Sequence, residues 1–300
     1  MKLWSKGKKL YTAIYNLYNN QFNTNSPNFL IGKMMAELNA AKEKINSIQD
    51  VEFKVFSQWG DDGIIQYLVS KLPIKNKTFV EFGVEYYTES NTRFLLLNNN
   101  WRGLVIDGSD EHINYIKNDS IYWQYELHVR KAFITAENIE SLIDEAGFET
   151  ELGILSIDID GNDYSVWKAI RKYNPDIVIV EYNSAYGDNP WITPYDPNFV
   201  REQAGPKKLF WGASLLSLCD LADEKGYDFI GCNQNGNNAY FVKRSVNNNT
   251  FKPLSYTEGF IESKFREVFH NGVPINANQK LQFLKGITVF NTRENKTEII

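Results

Sequence analysis

Residues 77–100 read KTFVEFGVEYYTESNTRFLLLNNN. Thr78, Phe79 and Val80 are the residue types of a strand, and the run passes through Glu81 to a stop at Gly83. Ser90, Asn91 and Thr92 then form a polar cap ahead of the apolar segment RFLLL, as at the start of a helix. The order is strand, loop, helix. It recurs down the chain: GLVIDG (103–108) then EHINYIKN (111–118), YELHVRKAF (125–133) then ENIESLIDEAG (137–147), and ILSIDID (154–160) then DYSVWKAIRKY (163–173). DIVIVEYN (176–183) follows, with the unbroken Ile and Val of a strand buried on both faces. Repeated β-α units of this kind imply an α/β fold: a Rossmann-like, doubly wound, mostly parallel sheet covered on both sides.

The flanks differ in texture. Residues 1–50 read as an N-terminal helical extension of two helices broken near NTNSPN (23–28), the second being MMAELNAAKEKI (34–45). Residues 51–246 hold the sheet. Within them SAYGDNPWITPYDPNFVREQAGPKK (184–208) is long, rich in Pro and aromatic residues and without periodicity, which reads as an ordered lid. The helix SLLSLCDLADEKG (214–226) and the strands DFIGC and NAYFVK, joined by NQNGN, add an antiparallel edge strand. Residues 247–300 form a C-terminal extension packing on the domain, with one expected helix, GFIESKFREVF (259–269).

A chain of 300 residues with 43% hydrophobic and 14% aromatic residues has ample core material. A net charge of -5 argues against a nucleic-acid partner, which would need a basic face. Cys219 and Cys232 lack metal-site spacing and read as packed thiols of a reducing compartment. No apolar run reaches the roughly 20 residues of an integral membrane segment, and polar residues interrupt any signal-peptide core in MKLWSKGKKLYTAIYNLYNN, so a cytoplasmic location is expected. Leu10, Ile14, Leu17 and Tyr18 share one helical face there. That face suits packing on the domain or a homodimer through the N-terminal helices; docking on a membrane surface is the second reading.

In an open parallel sheet, ligands bind beyond the carboxyl ends of the strands. Those ends carry Glu81 and Gly83, then Asp107, then Asp158 and Asp160, then Glu181 and Asn183. A lone Asp after a strand is usually a cap or turn residue, and Asp163 and Asp110 are read that way. Several acids converging on one cleft would repel one another unless a cation joined them, whether a positively charged ligand or a metal. The loop GVEYYTES (83–90) has Glu85 where a dinucleotide fold would need a glycine, and a glutamate there repels pyrophosphate. The sulfonium cofactor S-adenosylmethionine carries no phosphate and fits better. Asp107, 24 residues after Gly83, is placed for the ribose hydroxyls.

FVEFGVEYYTESNT with GLVIDGS resembles motif I and the acidic second-strand end of class I S-adenosylmethionine-dependent methyltransferases, and DIDGND (158–163) is similar to the D-x-E-G-x-E signature of their FkbM-type branch. FSQWGDDGII, FITAENI, VEYNS, WGASLLSL, KGYDFIGC and NAYFV extend the resemblance over about residues 55–245. It implies the class I methyltransferase fold and O-methylation of a small hydroxyl-bearing acceptor, such as a sugar or surface-polysaccharide precursor in a bacterium. By position it implies Gln58, Asp62, Glu81, Gly83, Ser90 and Asn91 at the cofactor's amino-acid end, Asp107 at the ribose, Phe133 with Ile134 and Thr135 beside adenine, and Asp158 nearby. Phe133 is equally readable as core.

Methyl transfer also needs the acceptor hydroxyl to lose its proton, to a carboxylate or with help from a metal. Asp160 and Asp158 are the candidate catalytic residues, and Asp160, Glu181 and Asn183 are an all-oxygen set for Mg2+. Asp160 stands where the signature has Glu, shortening its reach. His112, His128 and His270 read as packed or exposed side chains outside the site. Two rival functions stand beside methyl transfer: a non-catalytic methyltransferase-like binding or assembly module, and, most weakly, an NAD-dependent oxidoreductase.

Overall fold

The computed structural model describes residues 24, 26–263, 269–270, 273–275 and 277–300. The face formed by Leu10, Ile14, Leu17 and Tyr18 lies outside them. Seven strands form the main sheet: Thr78–Phe82 (β1), Arg102–Asp107 (β2), Leu127–Lys131 (β3), Glu151–Ile157 (β4), Asn174–Glu181 (β5), Tyr227–Cys232 (β6) and Asn238–Lys243 (β7). Their order is β3-β2-β1-β4-β5-β7-β6, with β1 to β5 parallel. The antiparallel strand is β7, which pairs with β5 on one side and β6 on the other, so it lies one place in from the edge. The turn 233–237 returns the chain inward, and β6 becomes the rim.

All five residues of β1 are buried, and its side chains alternate between two cores as a pleated strand requires. Phe79 joins Ile64, Leu68, Leu95 and Tyr240 on one face of the sheet. Val80 and Phe82 join Ile143, Trp167, Leu218 and Phe241 on the other. The first layer holds helices Pro27–Ala40 (α1), Asp61–Lys71 (α2), Arg93–Asn99 (α3) and Asp110–Asn118 (α4); the second holds Ile139–Asp144 (α5), Asp163–Ala169 (α6) and Leu215–Lys225 (α7). Strand order reverses at β1, between β2 and β4, which places the crevice there.

Several boundaries differ from the periodicity. The segment NTNSPN ends in the start of α1, where Ser26 accepts the Phe29 N–H at 3.2 Å and Pro27 fills the first helical position; the helix expected before it lies outside the described residues. The helix ends at Ala40, so Ala41–Ile45 of the expected helix are not helical. The helix expected at 259–269 is not formed in its described part; a turn of helix at Tyr256–Gly259 precedes it, and Phe269–His270 are extended. The tail also adds structure that its sequence hides. Thr288–Asn291 and Lys296–Ile299 make a hairpin, and Phe290 and Asn291 of its first strand pair with Ile192 and Trp191. The C-terminal extension is therefore the outer wall of the lid.

Candidate active site

A cleft of about 420 Å³ opens at the carboxyl ends of β1, β2, β4 and β5. Gly83 lets the ends of β1 and β4 meet: its φ is +68°, and a Cβ there would stand 1.8 Å from the Asp158 carbonyl oxygen. The chain then winds through two more left-handed residues, Glu85 at φ 46° and Tyr87 at φ 57°. Glu85 thus takes a glycine-like conformation, and that turns its N–H onto Asp107 Oδ2 at 2.9 Å. Asp107 Oδ1 accepts from the Ser109 N–H at 2.8 Å and meets His112 Nδ1 at 2.9 Å. The carboxylate is buried and held from two sides; Oδ1 is occupied by Ser109 and His112, and Oδ2 keeps a lone pair for a hydroxyl donor.

Glu81 is buried at the end of β1. It accepts the Asn91 N–H at 2.8 Å, the Thr92 N–H at 3.1 Å and the Thr92 hydroxyl, so it clamps the chain entering α3. Burial pushes its carboxyl up to about 7 despite these donors. Asn91, Ser90 and Gln58 line the same end of the cleft, and Asn91 Nδ2 donates to Ser156 Oγ at 3.1 Å. Asp62 does not reach it. One of its oxygens accepts the N–H groups of Val55, Phe56 and Ser57 at 2.7 to 2.9 Å and the Ser57 hydroxyl, so it shapes the loop that presents Gln58.

Phe133 and Ile134 border the cleft beyond β3. Ile134 is buried at 6% exposure, whereas Phe133 is 54% exposed and is not a core residue. An aromatic face left open inside a cleft is what an adenine ring would cover.

On the opposite wall, Asp158, Asp160 and Glu181 bring carboxylate oxygens within 4.8 Å of one another. Burial first, and then the charges of Asp160 and Asp163 at Asp158 and of Asp158 and Asp160 at Glu181, raise both carboxyls well above ordinary carboxylates. Asp160 differs. It sits at φ 57°, its side chain is 52% exposed, and it is ion-paired with Arg201 Nη1. Asp163 holds the loop between them, accepting the N–H groups of Ile159 and Gly161 at 2.8 and 2.9 Å, which is the turn use expected of it.

Asn183 stands apart from the acids. Its Nδ2 donates to the carbonyls of Leu209 and Trp211, both at 3.0 Å, and its Oδ1 accepts the Ala185 N–H, so the amide ties the two ends of the lid together. The set for Mg2+ loses that member, and Asp160 already holds a guanidinium. Asp158, Asp160 and Glu181 are close enough to hold an ion, but Asp160 is already paired with Arg201, so a dication would have to compete with that guanidinium.

Sequence reasoning missed Arg201, Phe199, Asn162, Asn237 and Asn238, all of which line the cleft, and His112, which grips Asp107. Phe199 comes down on Gly161, where a Cβ would meet its ring at 2.2 Å. Asn162 Nδ2 donates to Asp196 O at 2.8 Å, and Tyr195 bonds Glu137 and the Ala136 N–H, so the lid is pinned along the rim. The Tyr86 ring stands edge-on to His112 at 4.4 Å. No described helix is long and apolar enough to cross a membrane.

The sheet order and the cleft at its strand ends define a Rossmann-like α/β fold. No protein-family model matches the chain, and no curated protein does. Among solved structures the chain is similar to a putative caffeoyl-CoA O-methyltransferase from Staphylococcus aureus: 14% identity over 79% of this chain and 99% of that one, TM-score 0.41. It is also similar to the O-methyltransferase from Bacillus cereus in complex with SAH, at 14% identity over 71% and 90%, TM-score 0.37. The pyocyanin biosynthetic protein PhzM gives 11% identity over 60% of this chain, TM-score 0.36, and the chain spans only 57% of that protein's length. What the cleft can do follows from its own residues.

Proposed function

We propose that this chain is an S-adenosylmethionine-dependent O-methyltransferase of the FkbM-like branch, acting on a small hydroxyl-bearing acceptor such as a sugar or a surface-polysaccharide precursor. The observation that carries the reading is the pairing of a pre-oriented Asp107 carboxylate with the open face of Phe133 in one cleft. A nucleoside needs those two groups, one for its ribose hydroxyls and one for its base. Glu85 at the same loop disfavours phosphates beside them.

When bound, the cofactor supplies an electrophilic methyl group. The protein's share is alignment, dryness and a place for the proton. Asp107 fixes the ribose, and Glu81 holds Asn91 and the α3 entry against the amino-acid end. Phe199, seated on Gly161, roofs the acceptor side against water. Asp158 and Glu181 face that side, and a carboxylate oxygen of the pair takes the proton as the acceptor oxygen gains its methyl group.

The test is calorimetry with S-adenosylhomocysteine on the wild type and Asp107→Ala. One hydrogen bond to a charged group, at roughly 1.5–3 kcal/mol, predicts about a tenfold to hundredfold loss of affinity in the variant. No binding by the folded wild type, or equal binding by both, ends the proposal.

A further inference from the structure

We propose that Arg201 is the resident cation of the acidic wall, so that the site works with a guanidinium where a divalent ion would otherwise sit. The inference rests on the methyltransferase reading for its purpose, but not for its geometry. Three carboxylates with oxygens inside 4.8 Å need a counter-charge, and Arg201 is the cation that lines the cleft with them.

Its placement is built in several independent ways. Nη1 pairs with Asp160 Oδ1. Nε donates to the Lys208 carbonyl at 3.1 Å, closing the loop that carries the side chain. The guanidinium carbon lies 4.5 Å from the centre of the Trp211 ring, a cation–π distance, and the side chain is only 14% exposed. Asp160 is presented to it from a left-handed backbone position directly before Gly161, on which the lid's Phe199 rests. The lid therefore delivers the charge. Its field also acts on Asp158 and Glu181, in the direction of the ionised form.

A guanidinium in this place has chemical consequences. It is planar, permanently charged and weakly hydrated, so it can satisfy a carboxylate in a cleft from which water is expelled. A magnesium ion would demand near-octahedral oxygen ligands and keep several waters. Arg201 and a dication would compete for Asp160, and their like charges repel at contact range. Arg201 is thus a positioning residue: it sets the charge and orientation of the acids without touching the transferred group.

The experiment is a titration with Mn2+, read by electron paramagnetic resonance and calorimetry, on the full chain, Arg201→Met and Arg201→Lys. S-adenosylhomocysteine binding and thermal melting of each protein serve as controls. The wild type is expected to bind Mn2+ only weakly. Arg201→Met removes the resident charge but keeps the apolar stem on Trp211, and should bind Mn2+ roughly tenfold or more tightly than the wild type. Arg201→Lys restores a positive charge and should return Mn2+ affinity toward the wild-type value. An Asp160→Asn, Arg201→Met double variant should lose the gain. Tight Mn2+ binding by the wild type overturns the proposal, and so does equal binding by the wild type and both single variants. Loss of S-adenosylhomocysteine binding in all of them would sink the methyltransferase reading and leave the Mn2+ comparison intact as a measure of Arg201.

Discussion

Replacing Phe133 by alanine separates a binding surface from a core residue. The ring is 54% exposed, and its loop is held by other groups: Asn138 Nδ2 donates to the Phe133 carbonyl at 2.9 Å, and the Thr135 N–H donates to Asn138 Oδ1 at 2.9 Å. None of these bonds uses the ring. Truncating a buried phenylalanine costs about 3–5 kcal/mol. A change at an exposed position away from caps and networks stays within about 0.5 kcal/mol. Melting should thus move by no more than about 2 °C, against roughly 10 °C for a core site. A base stacked on an aromatic face contributes about 1–3 kcal/mol, so affinity for S-adenosylhomocysteine should fall by roughly 5- to 150-fold. Phe133→Tyr keeps the face and should bind within about twofold of the wild type. Calorimetry and differential scanning calorimetry on the three proteins give both numbers. Unchanged affinity in Phe133→Ala, or a large drop in melting temperature, would show that the ring does not serve the ligand.

Glu81 should leave a mark on stability against pH. Burial raises its folded carboxyl from 4.5 to about 7, so between those values the native state binds more proton than the unfolded chain, and stability falls as pH rises through the window. In urea titrations the wild type should lose on the order of 3 kcal/mol relative to Glu81→Gln between pH 4.5 and pH 7.5; a constant difference would contradict the burial argument. Asp62 and Asp163, each pushed up to about 6, cancel in this comparison because both proteins keep them. The lid offers a second handle. In Gly161→Ala the new Cβ would meet the Phe199 ring at 2.2 Å, so the lid should lift, and trypsin should cut after Arg201, Lys207 or Lys208 several-fold faster while the melting temperature barely moves. Equal cleavage rates would mean that Phe199 does not hold the lid down.

The parts of this molecule that were legible in its sequence are those with local causes. Strand and helix periods run within ten residues, and they placed all seven strands and the strand-end acids. Asp107 and Gly83 could be placed at the cleft because the turn chemistry that positions them lies next to them in the chain. Asp62 could not, since a carboxylate that caps Val55, Phe56 and Ser57 and one that meets a ligand look alike in sequence. The tail hairpin was hidden for a different reason: its partner strand is Trp191–Ile192, about a hundred residues earlier.

The acids posed the more instructive problem. Crowded carboxylates require a cation, and that physical requirement holds here; what the chain could not reveal is who supplies it. Arg201 lies 41 residues beyond Asp160, in a segment without periodicity that also contains Lys207 and Lys208. Only the folded lid decides among them: Lys207 turns to the Phe283 ring and Lys208 reaches Glu202, while Trp211 and the Lys208 carbonyl steer Arg201 inward. His112 follows the same logic at the other wall, where one helical turn after Ser109 carries its ring back onto Asp107. In both places the sequence states a charge to be answered, and the answer comes from a side chain whose direction is set by packing. Under the proposed reading, a cation carried by the lid differs from a bound ion in one respect: its pull on Asp160 would depend on the lid's position, so that enclosing the acceptor and compensating the acids would be a single event.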